Sequence, residues 1–244
     1  MRNFRIILFT LLSVCSLTVR GASDLNSVLE RGRDLFGYGR WSDARHEFLR
    51  ARALLDPADR AAREEIDYYL AACAVELGSD DAEGALRDFE RRHPGSVYAN
   101  DVRFSLGSYY CAVGNMPLAR EAFERTEYKA LSAPRREQYD IRMGYVEFTQ
   151  GDYAAAYDRF SRIGSRSEYA DHALYYRSYI DYAEGRYDRA KDGFTQLTRS
   201  DAYRDLVPFY LLQIEFRNGN YRYVVDHGEE LVRKAVPERQ AELE

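Results

Sequence analysis

The sequence predicts an all-α protein: a right-handed α-solenoid of about six helix–turn–helix repeats behind an N-terminal signal segment. Three observations predict it. An Ala-x-x-x-Phe pair recurs at one phase, as Ala44/Phe48, Ala85/Phe89, Ala119/Phe123, Ala156/Phe160 and Ala190/Phe194. Twelve residues before each Ala stands an aligned first-helix position, occupied by Gly32, Cys73, Gly107, Gly144 and Ser178. Between the two, a glycine marks a turn in every copy.

The physics of the pair is direct. Residues four apart share one face of a helix. The Ala allows two helices to approach, and the Phe fills the space between one repeat and the next. Burial of each such Phe contributes roughly 1.5–3 kcal/mol. A single hairpin cannot bury both of its apolar faces, so the repeats must stack.

Taken in order, residues 1–21 read as a targeting segment. Arg2 and Arg5 form a basic start, and Ile6 to Val19 an apolar run. At about 14 residues that run is short for a bilayer span, which needs roughly 20. Its end has two readings. Cleavage after Val19-Arg20-Gly21 would start the mature chain at Ala22, whereas Leu12-Ser13-Val14-Cys15 resembles a lipobox with Cys15 as the lipidated residue.

The repeats are expected at about 25–57, 61–94, 98–131, 135–166, 169–201 and 205–236. Gly39-Arg40-Trp41, Gly151-Asp152-Tyr153, Gly185-Arg186-Tyr187 and Gly219-Asn220-Tyr221 share one turn form, with Gly114-Asn115-Met116-Pro117 as a variant. Asp56-Pro57, His93-Pro94-Gly95-Ser96 and Ser132-Ala133-Pro134 break the chain between repeats. Repeat two departs, with a Gly78-Ser79-Asp80 turn and an interval of 41 residues between Gly32 and Cys73, against 34 or 37 elsewhere. That interval implies a longer first helix or linker. Repeat six departs more, with Leu212, Val224 and Gly228 at the three key places. Residues 237–244 open a further helix or a capping segment, and the sequence is read as the front of a longer array.

Leu106-Gly107-x-x-Tyr110, then Ala119, then Phe123, is the pattern of a tetratricopeptide (TPR) repeat, which residues 25–236 resemble as a whole. The Pro-Gly-Ser-x-Tyr-Ala-Asn-Asp run at 94–101 resembles exported TPR proteins of the bacterial envelope. These are of the type of the TPR lipoprotein of β-barrel assembly and the TPR protein associated with Tol–Pal. The resemblance implies a periplasmic or outer-membrane-associated protein, with first helices lining a concave groove.

Composition narrows the partners. The chain is 45% hydrophobic and 31% charged, which is globular, and carries 21 Tyr against a single Trp. Its formal net charge of −5 becomes −8 once residues 1–21, with three Arg and no acid, are removed. An acidic exported chain argues against nucleic-acid binding. No later stretch is long and apolar enough to span a membrane. The two remaining cysteines, Cys73 and Cys111, are read as buried thiols rather than a bridge.

No chemistry is legible. The four His have no i, i+4 pairing, no Cys/His set has zinc spacing, and no phosphate-binding glycine loop or Gly-x-Ser-x-Gly is present. Paired carboxylates such as Glu64-Glu65 read as solvated faces. The expectation is therefore a non-enzyme without cofactor or metal. Groove register instead singles out Tyr145, Phe148, Tyr175, Tyr179, Tyr182, Phe209 and Phe216 as an aromatic partner-binding surface. Tyrosine offers a flat apolar body and a polar tip at little entropic cost. The partner is expected to be a protein or peptide segment. The alternatives are a glycan or peptidoglycan, or a purely structural role in a longer array.

Overall fold

The computed structural model describes residues 24–234, and every regular element among them is helical. The signal segment, Cys15, the cleavage position at Ala22 and the 237–244 segment lie outside the described residues. The chain divides into two compact units, the first ending at Ala130 and the second starting at Leu131.

The first unit holds α1 (24–37), α2 (Trp41–Leu54), α3 (Arg60–Glu76), α4 (Ala82–Arg92), α5 (Ala99–Ala112) and α6 (Met116–Glu124). A 3₁₀ turn, Tyr128–Ala130, ends it. The second unit holds α7 (Ala133–Thr149), α8 (Tyr153–Ser161), α9 (Ala170–Ala183), α10 (Tyr187–Leu197), α11 (Val207–Arg217) and α12 (Tyr221–Lys234). Helices consecutive in sequence pack on one another within each unit.

Every hairpin turn uses the expected glycine: Gly39, Gly78, Gly114, Gly151, Gly185 and Gly219 all have positive φ. At Gly114 the left-handed residue lets the Asn115 N–H reach back 2.8 Å to the Tyr110 carbonyl, capping α5. The Asn115 side chain then accepts from the Leu118 N–H and starts α6.

The core is the repeat pattern made solid. Phe48, Phe89, Phe123, Phe160 and Phe194 are all fully buried. The aligned small residue is small because the Phe ring lies on it: a Cβ built on Gly32, Gly107 or Gly144 would stand 2.9, 2.6 or 2.8 Å from Phe48, Phe123 or Phe160. Three of these rings also stack on a tyrosine of the next repeat. Phe48 stacks on Tyr69 at 4.6 Å, Phe160 on Tyr176 at 5.0 Å and Phe194 on Tyr210 at 4.8 Å.

Three local expectations are refined. The wide interval before Cys73 is filled by helix, since α2 runs 14 residues and α3 runs 17. In repeat two Ala85 is only half-buried, and Ala82 and Leu86 pack in its place. The turn differs as well: α4 starts four residues after Gly78, whereas α6 starts two after Gly114, yet Phe89 keeps its place and is fully buried. Repeat six keeps the contact with its partners exchanged. Leu212 on α11 supplies the bulk, and a Cβ on Gly228 of α12 would lie 3.9 Å from it.

Candidate functional site

The sequence-selected aromatics all lie in the second unit, on α7, α9 and α11. The structure sorts them by exposure. Phe209 is 9% exposed and belongs to the core around Phe194 and Ile214. Tyr175, Tyr179 and Tyr182 are half-buried against that core. Phe148 is half-buried on the neighbouring core of Phe160 and Ile180. Tyr145 at 36% and Phe216 at 58% are exposed.

The three α9 tyrosines are thus inter-repeat packing as much as surface. Tyr175 stacks on Tyr203 at 4.6 Å, and its hydroxyl lies 3.3 Å from that of Tyr210. Tyr179 meets Phe148 edge-on at 5.3 Å and Tyr210 at 5.8 Å. Tyr182 packs on Tyr187 and Tyr210 and donates its hydroxyl to Gln213 Oε1. Arg217 lies over both Tyr182 and Tyr187, at 6.0 and 5.7 Å from the ring centres. Tyr145 and Phe148 both meet Tyr176, Phe148 meets Tyr179, and Tyr179 and Tyr182 both meet Tyr210, so Tyr145, Phe148, Tyr179, Tyr182 and Arg217 form one strip linked through Tyr176 and Tyr210. Phe216 packs instead on Tyr221, away from that chain of contacts.

Sequence reasoning missed Tyr176, Tyr203 and Tyr210. Tyr176 lies beneath Tyr145, and its burial, with Tyr145 nearby, pushes its hydroxyl up to about 12. Tyr203, in the loop before α11, is 8% exposed, and burial raises its hydroxyl too. It hydrogen-bonds His172 and stacks on Tyr175, tying the loop before α11 to α9. The Phe-to-Tyr spacing of sixteen residues in Phe160/Tyr176 and Phe194/Tyr210 was the available signal.

Sequence reasoning also missed a set of single buried carboxylates. Glu147, Asp181 and Glu215 are buried at 4, 4 and 6%, three residues after the aligned positions of repeats four to six. Each is matched by a cation: Glu147 by Arg159 at 3.4 Å, Asp181 by Arg186 at 2.5 Å and Glu215 by Lys191 at 2.5 Å. The Lys191 hydrogen bond, then that of Asn220, holds the Glu215 carboxyl below its ordinary range. Asp140, 2% exposed, sits between Arg159 and Arg162 at 3.3 and 3.5 Å. These acids fasten helix ends. Each has a cation on it, the arrangement of structural ion pairs rather than of a proton-transfer dyad.

Among the described residues no group of three or more His, Cys, Asp or Glu is placed to hold a metal ion, and no helix is long and apolar enough to cross a membrane. Cys73 and Cys111 are not bridged to each other. Burial pushes the Cys73 thiol up to about 11.

No protein-family model matches the chain, and no curated protein matches it in sequence. Solved structures do. A tetratricopeptide repeat protein from Parabacteroides merdae is similar with a TM-score of 0.56 and 15% identity, over 87% of this chain and 80% of that one. The fold is that of a TPR solenoid. The APC/C hetero-tetramer Cut9–Hcn1 is similar with a TM-score of 0.51 and 17% identity, over 86% of this chain and 40% of that one. In TPR terms α7, α9 and α11 are first helices, and the aromatic strip crosses all three.

Proposed function

We propose that the protein is a non-catalytic scaffold that binds a segment of a partner protein along the strip Tyr145–Phe148–Tyr179–Tyr182–Arg217. The observation that supports this is the strip itself. Its rings are ordered by packing before any partner arrives, so little side-chain entropy remains to be lost on binding. An extended or helical segment with apolar side chains would lie across the rings, and Gln213 and Arg217 would read its polar atoms. The site belongs to an exported chain of the bacterial envelope, with residues 1–21 removed or Cys15 lipidated. Mass spectrometry of the mature N-terminus separates the two forms, since a start at Ala22 excludes the lipid.

The test places a photo-crosslinking residue at position 145 in the native host, with Asp158 on α8 as the exposed control. The proposal expects a discrete protein adduct from position 145 and none from position 158. Equal labelling at both positions, or an adduct only with cell-wall glycan, overturns it. A Tyr145→Ala/Arg217→Ala variant should then lose the adduct made from a crosslinker at position 149, with an unchanged melting curve.

A further inference from the structure

A second surface lies in the first unit, apart from the aromatic strip. The start of α3 and the turn at 93–96 enclose a cleft of about 510 Å³, lined among others by Arg60, Arg63, Arg92, His93 and Ser96. Three guanidinium groups line this one cleft. Their prior commitments are partial. Arg63 donates one nitrogen to the Pro57 carbonyl at 2.6 Å, and a guanidinium has five N–H donors. Arg92 and His93 share a single carboxylate, Asp67, at 2.7 and 3.0 Å. Glu64, the acid lining the cleft, accepts from Ser96 Oγ at 2.6 Å. No ion pair holds Arg60 among the described residues. The start of α3 is capped by Asp59, whose carboxylate accepts from the Ala62 N–H at 3.0 Å, so the helix end adds nothing to the potential supplied by the arginines.

We propose that this cleft binds a phosphate monoester. The forked donors of arginine match the oxygens of a tetrahedral oxyanion, and a group carrying nearly two negative charges answers the local excess of cations better than a single carboxylate does. The volume exceeds that of free phosphate, so the ester carries an organic group that lies along Pro94 and Gly95. That group belongs either to a small soluble ester or to a lipid headgroup, and both present the same phosphate. The inference is independent of the aromatic strip, which lies in the other unit.

Calorimetric titration of the full chain with inorganic phosphate and with glycerol phosphate tests it, alongside co-sedimentation with phosphatidic acid and phosphatidylcholine vesicles. Glycerol phosphate should bind saturably and more tightly than inorganic phosphate. Retention on phosphatidic acid vesicles alone identifies the lipid as source, and binding of glycerol phosphate alone identifies a soluble ester. Arg60→Gln/Arg63→Gln should weaken either interaction by roughly ten- to a hundred-fold. Asp67→Asn, which frees Arg92 and His93, should tighten it. No saturable binding by the wild-type chain to any probe, or equal binding by Arg60→Gln/Arg63→Gln with unchanged circular dichroism, overturns the proposal.

Discussion

Gly107→Ala separates helix propensity from packing because the two act in opposite directions there. Gly107 sits inside α5, where a glycine costs about 0.5–1 kcal/mol relative to Ala, so propensity alone makes the substitution stabilising. A Cβ at this place would stand 2.6 Å from both Cδ1 and Cε1 of Phe123. Carbon atoms in contact prefer about 3.5–4.0 Å, so ring and helix would have to part by about 1 Å. Phe123 is fully buried and lies 6.1 Å from the Phe104 ring, so the displacement is passed to the rest of the hairpin. Overpacking of this kind costs about 1–3 kcal/mol. The net expectation is a loss of about 0.5–2 kcal/mol, read from urea denaturation followed by circular dichroism. Gly84→Ala on α4 is the matched control. Nothing lies within 4 Å of its Cβ, so it should gain about 0.5–1 kcal/mol. A Gly107→Ala variant as stable as the wild type, or a Gly84→Ala variant less stable than it, would refute the packing argument.

Other perturbations follow from the same contacts. Phe160→Ala removes a fully buried ring stacked at 5.0 Å on Tyr176, and it should cost about 3–5 kcal/mol in the same denaturation assay, above the transfer term alone because a cavity remains. Alkaline pH should destabilise the fold. Cys73 at about 11 and Tyr176 at about 12 keep their protons in the fold longer than in the unfolded chain, where they ionise near about 8.5 and 10. Their contribution is therefore complete below about pH 8 and is lost progressively up to about pH 12, which urea midpoints across that range would follow. For the same reason iodoacetamide should label half-exposed Cys111 well before buried Cys73 in the native protein, with both labelled alike in urea, as peptide mass mapping would show.

The architecture was legible because its determinants are local and repeated. Five Ala-x-x-x-Phe pairs and six glycine turns each state one contact in sequence, and each contact lies within one hairpin. What escaped was set between hairpins or in the repeats that depart from the pattern. Ala85 has the right type and phase, yet it is half-buried while Ala82 and Leu86 beside it are buried, after a Gly78 turn longer than the others. Leu212 and Gly228 read as departures within the sixth repeat because the small and large members had changed helices while the contact survived. Glu147, Asp181 and Glu215 were not singled out because a lone carboxylate in sequence does not reveal its cation: Lys191 comes from the preceding repeat, and Arg159 from the far end of the next helix.

The aromatic site illustrates a more general limit on reading recognition from type and register. A tyrosine on a first helix has two places to put its ring: against the Phe of the preceding repeat, or along the open face. Tyr176 and Tyr210 take the first place, stacked on Phe160 and Phe194 at sixteen residues' separation. Tyr175, Tyr179 and Tyr182 take an intermediate course, half-buried with their rings on Tyr203, Phe148 and Tyr187. Removing all three together would therefore loosen the α9–α11 junction as well as any binding surface, and loss of binding would be uninformative. Tyr145 and Arg217 border the strip from its exposed side, so replacing them changes the surface and leaves the stack in place. The discriminating property is which side of the ring is already covered, and that depends on the stacking of repeats.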